Sequence, residues 1–315
     1  MPKFSVCIPA YKSRFLKECI ESVLAQSFAD FELIILNDSS PEPVAQIAAE
    51  FSDSRIRYYE NEHNVGAVRL TDNWNKCLAL AGGEYLVMMG DDDRMEPDFL
   101  REFSALIAAY PELDVYHCRS LIIDDEGQPR QLTPACPEYE RVCDSIWHRL
   151  SQWRSQYISD FVYRTEALRQ QGGFYSLPLA WGSDDITAYI ATNGKGIAHT
   201  NKPVFNYRSN SLSISSSGND LEKMRANLGY AEWLRAFLAS HTPDASEQVV
   251  YHNLCEQQAL FMQQRKRYTM ALSMRHGLVS KLWLWIRHRG EFGLRLSDIA
   301  IAAVKSRGLR RRLSD

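Results

Sequence analysis

Residues 84–99 read EYLVMMGDDDRMEPDF. An apolar run ends, after Gly90, in three adjacent carboxylates: Asp91, Asp92 and Asp93. Neighbouring carboxylates repel, and burial raises the cost of ionising each one. Something must compensate, either water on a solvated turn or a cation. Mg²⁺ and Mn²⁺ take oxygen ligands and are commonly held by one or two carboxylates together with substrate phosphates. A second acidic pair, Asp184-Asp185, opens a predicted helix, where the dipole favours negative charge. Such a pair either caps the first turn or offers a general base to a hydroxyl. The LAWG just before it adds an aromatic side chain of the kind that packs on the apolar face of a sugar ring. Asp38 ends the apolar run FELIIL and precedes Ser-Ser-Pro. It is either the acid of an Asx-turn or an acceptor for nucleobase N–H groups.

Other chemistries lack their residues. Neither GxGxxG nor GxxxxGK[ST] occurs, so no glycine cradle is available for a diphosphate, and HExxH and GxSxG are absent. The eight histidines show no metal spacing, and His63, His117 and His199 read as structural or surface residues. Seven cysteines without a CxxC pair argue against zinc ribbons and thioredoxin chemistry. Several lie in apolar runs as small hydrophobes, which fits a reducing compartment. The N-terminus has no signal-peptide pattern, and no apolar run reaches the ~18 residues of a membrane span.

The net charge of −3 gives no global field for nucleic acid, but its distribution is uneven. Residues 275–315 carry ten Lys and Arg against three Asp and Glu, an excess of seven, which leaves the remainder at −10. Trp283 and Trp285 lie in this basic segment with Leu282, Leu284 and Ile286, a mixture suited to a membrane surface or to packing against protein.

The elements that must position these residues follow from periodicity. Residues 4–8 form a β-rich run ended by Pro9. Ser13 is placed to cap a helix whose apolar positions are Phe15, Leu16, Cys19, Ile20, Val23 and Leu24. Strands are expected at 31–36, 55–60 and 84–89, with a helix after Pro41 and another over 70–81, stopped by Gly82-Gly83. A strand pair is expected over 114–125 and a strand entering a Ser-rich loop over 203–218. Helices follow from about 220. Alternating strands and helices predict a Rossmann-like, mostly parallel α/β sheet flanked by helices, with ligands beyond the carboxyl ends of the strands. Pro9-Ala10-Tyr11, Asn37-Asp38 and Asp91–Asp93 all fall at such ends.

In this order and spacing, FSVCIPAYKSRFLKECIESVLAQSFADFELIILNDSSPE and NVGAVRLTDNWNKCLALAGGEYLVMMGDDDRMEPDFL resemble the family 2 glycosyltransferases of the GT-A fold over roughly residues 3–105, with a weaker extension to about 215. The resemblance implies a hexosyl- or N-acetylhexosaminyl-transferase of bacterial polysaccharide biosynthesis. It would move a sugar, with inversion, from a nucleotide-diphosphate sugar (a UDP-sugar favoured) to a glycan or lipid-linked acceptor, using Mn²⁺ or Mg²⁺. By position, Pro9, Ala10 and Tyr11 would line the nucleoside pocket, Asp38 would contact the base and Asp91 would lie near the ribose. Asp92 would be the main metal ligand, with Asp93 alongside. GSDD would make Asp185 the favoured base and Asp184 its neighbour.

Two positions depart from the family pattern. Gly90 stands where many members have the first Asp of D-x-D-D, and Asn210 where many have a His near the diphosphate, leaving Arg208 to take the phosphate contact. The expected organisation is a catalytic domain over 1–218 and a basic amphipathic helical extension over 219–315. The expected location is cytoplasmic, at the inner membrane face through residues 275–315; the oligomeric state is left open. A nucleotidyltransferase and a non-catalytic nucleotide-sugar or glycan-binding protein are the alternatives. The former would normally carry a glycine-rich loop where residues 7–14 have none.

Overall fold

The structure, a computed structural model, describes residues 1–210, 219–275 and 277–311. Its elements are β1 (Phe4–Ala10), α1 (Leu16–Leu24), β2 (Phe31–Asn37), α2 (Val44–Ala49), β3 (Ile56–Glu60), α3 (Leu70–Leu80), β4 (Tyr85–Met88), β5 (Arg94–Met95), α4 (Phe99–Ala109), β6 (Val115–Ile123), β7 (Pro129–Leu132), β8 (Tyr139–Glu140), α5 (Val142–Leu150), β9 (Phe161–Arg164), α6 (Thr165–Gln170), α7 (Ser183–Ala191), β10 (Ile197–Arg208), α8 (Asp220–Ser240), α9 (Gln248–Met274), α10 (Leu278–Arg287) and α11 (Leu296–Arg311). The described residues divide into two compact units, 1–176 with 183–210, and 177–182 with the helices from residue 219.

The first unit is built on one sheet of order β3-β2-β1-β4-β9-β6-β10-β5, with β7 on β6 and β8 on β10. The first four strands are parallel, as their continuous apolar runs predict. Beyond β4 the sheet is mixed: β9 runs antiparallel to β4 and β6, while β10 runs parallel to β6. All seven residues of β2 are buried. Its one charge, Glu32, is satisfied by Arg57 at 2.6 Å, Ser5 Oγ at 2.6 Å and the Gly82 N–H. Leu16, Cys19, Ile20 and Val23 of α1 are buried at helical spacing. Ser13 does not cap this helix; its N–H and hydroxyl both donate to Glu42 instead. The pair expected over 114–125 is the single strand β6, whose hairpin partner β7 lies beyond it. The Ser-rich stretch 211–218 lies outside the described residues.

The second unit buries Met224, Met270, Met274, Trp285, Phe292 and Ile299 in one cluster. Trp285 is fully buried and donates its indole N–H to Ser273 Oγ at 2.8 Å. It therefore leaves the set of side chains expected to meet a membrane. Trp283 remains outside, 71% exposed, with Val279 and Ile286 on the same helix face. No helix among the described residues is long and apolar enough to cross a membrane.

Candidate active site

Strand register gathers the acids. Ala10 pairs with Asn37 and Cys7 with Met88, so β1, β2 and β4 release Tyr11, Asp38 and the Gly90–Asp93 turn at one sheet edge. The three carboxylates of the turn then have different fates. Asp91 Oδ2 accepts the Tyr11 and Lys12 backbone N–H groups, both at 2.8 Å. Burial, and the Asp92 charge beside it, nevertheless push the Asp91 carboxyl up to about 6. Asp93 is buried and accepts the Arg208 N–H at 2.8 Å, with Ser159 Oγ at 3.4 Å. Burial raises it well above the usual carboxylate range, and Asp92 adds to the shift. Asp92 Oδ2 accepts from the Asn210 amide at 2.7 Å, with Lys12 Nζ 3.9 Å away.

Gly90 has a steric reason for being glycine. A Cβ there would stand 2.6 Å from Asp93 Oδ2 and 3.3 Å from Asp92 Oδ1, so its absence lets both carboxylates fold close to the turn.

The expected phosphate contact from Arg208 is corrected. Arg208 is 1% exposed and every guanidinium nitrogen is engaged. Nε donates to the Asp92 carbonyl, Nη1 to the carbonyls of Asp124 and Asp125, and Nη2 to Glu18 at 2.6 Å. The guanidinium also lies 4.2 Å from the Phe15 ring centre. Arg208 clamps the acidic turn from behind and has no fork left for a ligand.

Pro9 is half-buried and Ala10 buried, while the Tyr11 ring is 42% exposed at the edge. Asp38 is buried and organises the 61–65 loop. Its Oδ1 accepts from the Asn61 amide at 2.7 Å and from the Val65 N–H at 3.0 Å, and Oδ2 accepts from the Asn64 amide at 3.1 Å. That loop lines a groove of about 510 Å³, with Arg69 and Lys76 on its wall.

The second acidic pair is divided. Asp185 has no exposed surface; Arg149 Nε donates to its two oxygens at 2.9 and 3.1 Å, and the Gln156 amide donates at 2.8 Å. Asp184 is half-buried. Burial and the Asp185 charge push its carboxyl up to about 7, against the pull of Arg149. Asp185, the base that the family resemblance favours, is therefore the enclosed member of the pair, and Asp184 the partly exposed one. Trp181, expected as an aromatic wall, belongs to the second unit, where Lys223 Nζ lies 5.0 Å from its ring centre.

Several partners escaped sequence reasoning: Lys12, Glu18, Arg149, Gln156 and Ser159. Arg149, Gln156 and Ser159 lie in the Trp-, Arg- and Tyr-rich stretch 136–160 that has no clean period, while Lys12 and Glu18 carried no signal.

Comparison with known proteins gives this arrangement a class. The model for glycosyl transferase family 2 matches residues 5–173, more than half of the sequence, and the chain belongs to that family. Among curated relatives, the O-antigen biosynthesis protein RfbC of Myxococcus xanthus is 27% identical over 229 residues, covering 70% of this chain and 17% of RfbC. The chain spans half or less of the length of the curated relatives it matches first. Staphylococcus aureus TarS 1-349 in complex with UDP-GlcNAc superposes with a TM-score of 0.59 at 18% identity, covering 98% of this chain and 92% of that one. A mannosyltransferase from Pyrobaculum calidifontis, in complex with GDP-Man and Mn²⁺, gives 0.58 at 15% identity, covering 97% and 87%. The chain thus carries a glycosyl transferase family 2 domain of GT-A fold, followed by a helical C-terminal region.

Proposed function

We propose that this glycosyltransferase moves a sugar, with inversion, from a nucleotide-diphosphate sugar to a hydroxyl of a glycan or lipid-linked acceptor, in a reaction that depends on Mn²⁺ or Mg²⁺. A UDP-sugar is the favoured donor. One observation carries this reading: of three adjacent carboxylates at the strand ends, Asp91 and Asp93 are held by backbone N–H groups, whereas Asp92 accepts from the Asn210 side chain, a partner that an ion would compete with.

The oxygen donors fit a hard divalent ion. Burial first, and the Asp92 charge second, raise the Asp91 and Asp93 carboxyls, and a bound cation would offset both. Asp92 would hold the ion, with Asp93 alongside, and the bound ion would neutralise charge on the departing diphosphate. The exposed Tyr11 and the half-buried Pro9 offer surface to the nucleoside. Asp38, by fixing the 61–65 loop, shapes the groove for the base. Asp91, tied to the Tyr11 and Lys12 N–H groups, keeps the turn against that pocket beside the ribose.

Asp184 accepts the proton of the acceptor hydroxyl as that oxygen attacks the anomeric carbon. A carboxyl poised near 7 suits a base working at neutral pH. Asp185 holds the base in place through Arg149 and Gln156. On this reading residues 1–218 carry the chemistry and residues 219–315 form an accessory extension, whose outward Trp283, Val279 and Ile286 with the basic charges from 275 onward rest on an anionic membrane.

The test is release of free nucleoside diphosphate from a panel of sugar nucleotides, with and without Mn²⁺ and with lipid-linked saccharide acceptors. Metal-stimulated release from one donor is expected. No release from any donor, or release indifferent to chelation, would contradict the reading.

A further inference from the structure

His117 and His199 are direct partners on the neighbouring parallel strands β6 and β10, so their imidazoles project from the same sheet face. Their Nδ1 atoms face each other at 3.1 Å. Each ring turns its far nitrogen to a buried carboxylate: His117 Nε2 lies 3.4 Å from Asp160 and His199 Nε2 lies 3.2 Å from Glu140. These are ion-pair contacts, and neither Nε2 makes an aligned hydrogen bond. The carboxylates are themselves fixed. Glu140 pairs with Arg154, while Asp160 accepts from Ser120 Oγ at 3.0 Å and from the Tyr157 N–H at 3.1 Å. Cys136 arrives from the segment between β7 and β8. Asn201 of β10 clamps its backbone on both sides, accepting the Cys136 N–H at 3.0 Å and donating to its carbonyl at 2.8 Å. One nitrogen of each imidazole and Cys136 Sγ lie within 4.8 Å of one another.

We propose that His117 Nδ1, His199 Nδ1 and Cys136 Sγ form a transition-metal site, suited first to Zn²⁺ and separate in chemistry from the acidic turn. Two nitrogens and a sulfur favour zinc over the hard ions that carboxylates hold. Nitrogens at ~2.0–2.1 Å from a tetrahedral ion lie about 3.4 Å from each other, close to the spacing already present. Zinc-bound histidines usually present their second nitrogen to a carboxylate, which fixes ring orientation and tautomer. Here both rings do so. Three protein ligands leave the fourth position to water. The ion would pin the β7–β8 segment to two core strands. Sequence spacing hides this set, because its members come from two strands and a loop far apart in the chain. Without a metal, the same residues would be an imidazole pair sharing a proton beside a thiol.

The whole chain, purified without a histidine tag, tests this by elemental analysis after dialysis. About one zinc per chain is expected in the wild type and in Cys255→Ser, and none in Cys136→Ser. Cys136 is half-exposed in a loop, so its replacement should leave the fold intact by circular dichroism. Chelated wild-type protein titrated with CoCl₂ should develop thiolate-to-cobalt charge transfer and tetrahedral d–d absorption, both lost in Cys136→Ser. Glu140→Gln should weaken zinc binding by about 10–100-fold. A wild-type protein that holds no zinc and gives no cobalt spectrum at micromolar CoCl₂ overturns the proposal. An unchanged cobalt spectrum in Cys136→Ser does the same.

Discussion

The two acidic clusters face the same problem and solve it with different materials. At residues 91–93, backbone N–H groups compensate two of three carboxylates. At residues 184–185, Arg149 and Gln156 compensate one of two. Each cluster thereby sets one member apart: Asp92, which accepts from the Asn210 side chain, in the first, and the partly exposed Asp184 in the second. Backbone compensation ties the turn to the end of β1 and to β10. Side-chain compensation neutralises Asp185 inside the fold and leaves Asp184 with a raised pKa, suited to carrying a proton. Neighbouring acids can in this way be told apart by asking what already holds each of them.

Separating the members of the second pair gives the largest expected effect. Asp184→Asn should lower turnover by about 10²–10⁴-fold with donor affinity unchanged, the usual range for loss of a general base. Asp185→Asn should lose stability instead, because it leaves the Arg149 charge facing a neutral amide; removing one partner of a buried pair costs about 3–5 kcal/mol. Thermal melts beside steady-state rates distinguish the two. The reverse pattern would return the base to Asp185.

The pH response sharpens the same contrast. Asp184 must be ionised to accept a proton, so turnover should rise with pH, level off above about 7, and lose this limb in Asp184→Asn. Protons compete with a cation for the acidic turn, so metal-dependent nucleotide binding should weaken as pH falls through about 6, where Asp91 takes up its proton. Calorimetry across pH 5–8 checks the second limb, and rate profiles check the first.

The smallest effect belongs to the basic extension. Trp283→Ala should reduce sedimentation with anionic vesicles several-fold without changing the melting temperature. Trp285→Ala should cost stability, about 3–5 kcal/mol for a buried tryptophan. Equal sedimentation of Trp283→Ala and wild type, or none by either, would remove the membrane role.

Much of this was legible in the chain because it depends on local pattern. The apolar runs of β1, β2 and β4 announce a buried parallel sheet, and turn residues at their ends mark the ligand edge. What stayed hidden depends on which way a side chain points. Asp184 and Asp185 are neighbours in sequence, but a helix rotates them by about 100°, so Asp185 takes the Arg149 and Gln156 hydrogen bonds while Asp184 feels Arg149 through its charge. Trp283 and Trp285 separate for the same reason. Arg208 stood in for the histidine that Asn210 replaces in the family pattern, yet under the acidic turn every nitrogen of its guanidinium is engaged. Ser13 had the residue type of a helix cap, but Glu42, distant in sequence, took its donors. His117, Cys136 and His199 lack any local spacing and meet only through strand pairing.

Nucleotide binding by Asp92→Asn tests the division of the acidic turn most directly. Calorimetric titration of UDP, or of GDP if the donor panel points there, should show Mn²⁺-enhanced affinity in the wild type. It should show no response to Mn²⁺ in Asp92→Asn, whose melting temperature stays within a degree or two because Asn210 can still bond the amide. Unchanged Mn²⁺ dependence in that variant would mean that Asp92 is not the group left for the ion.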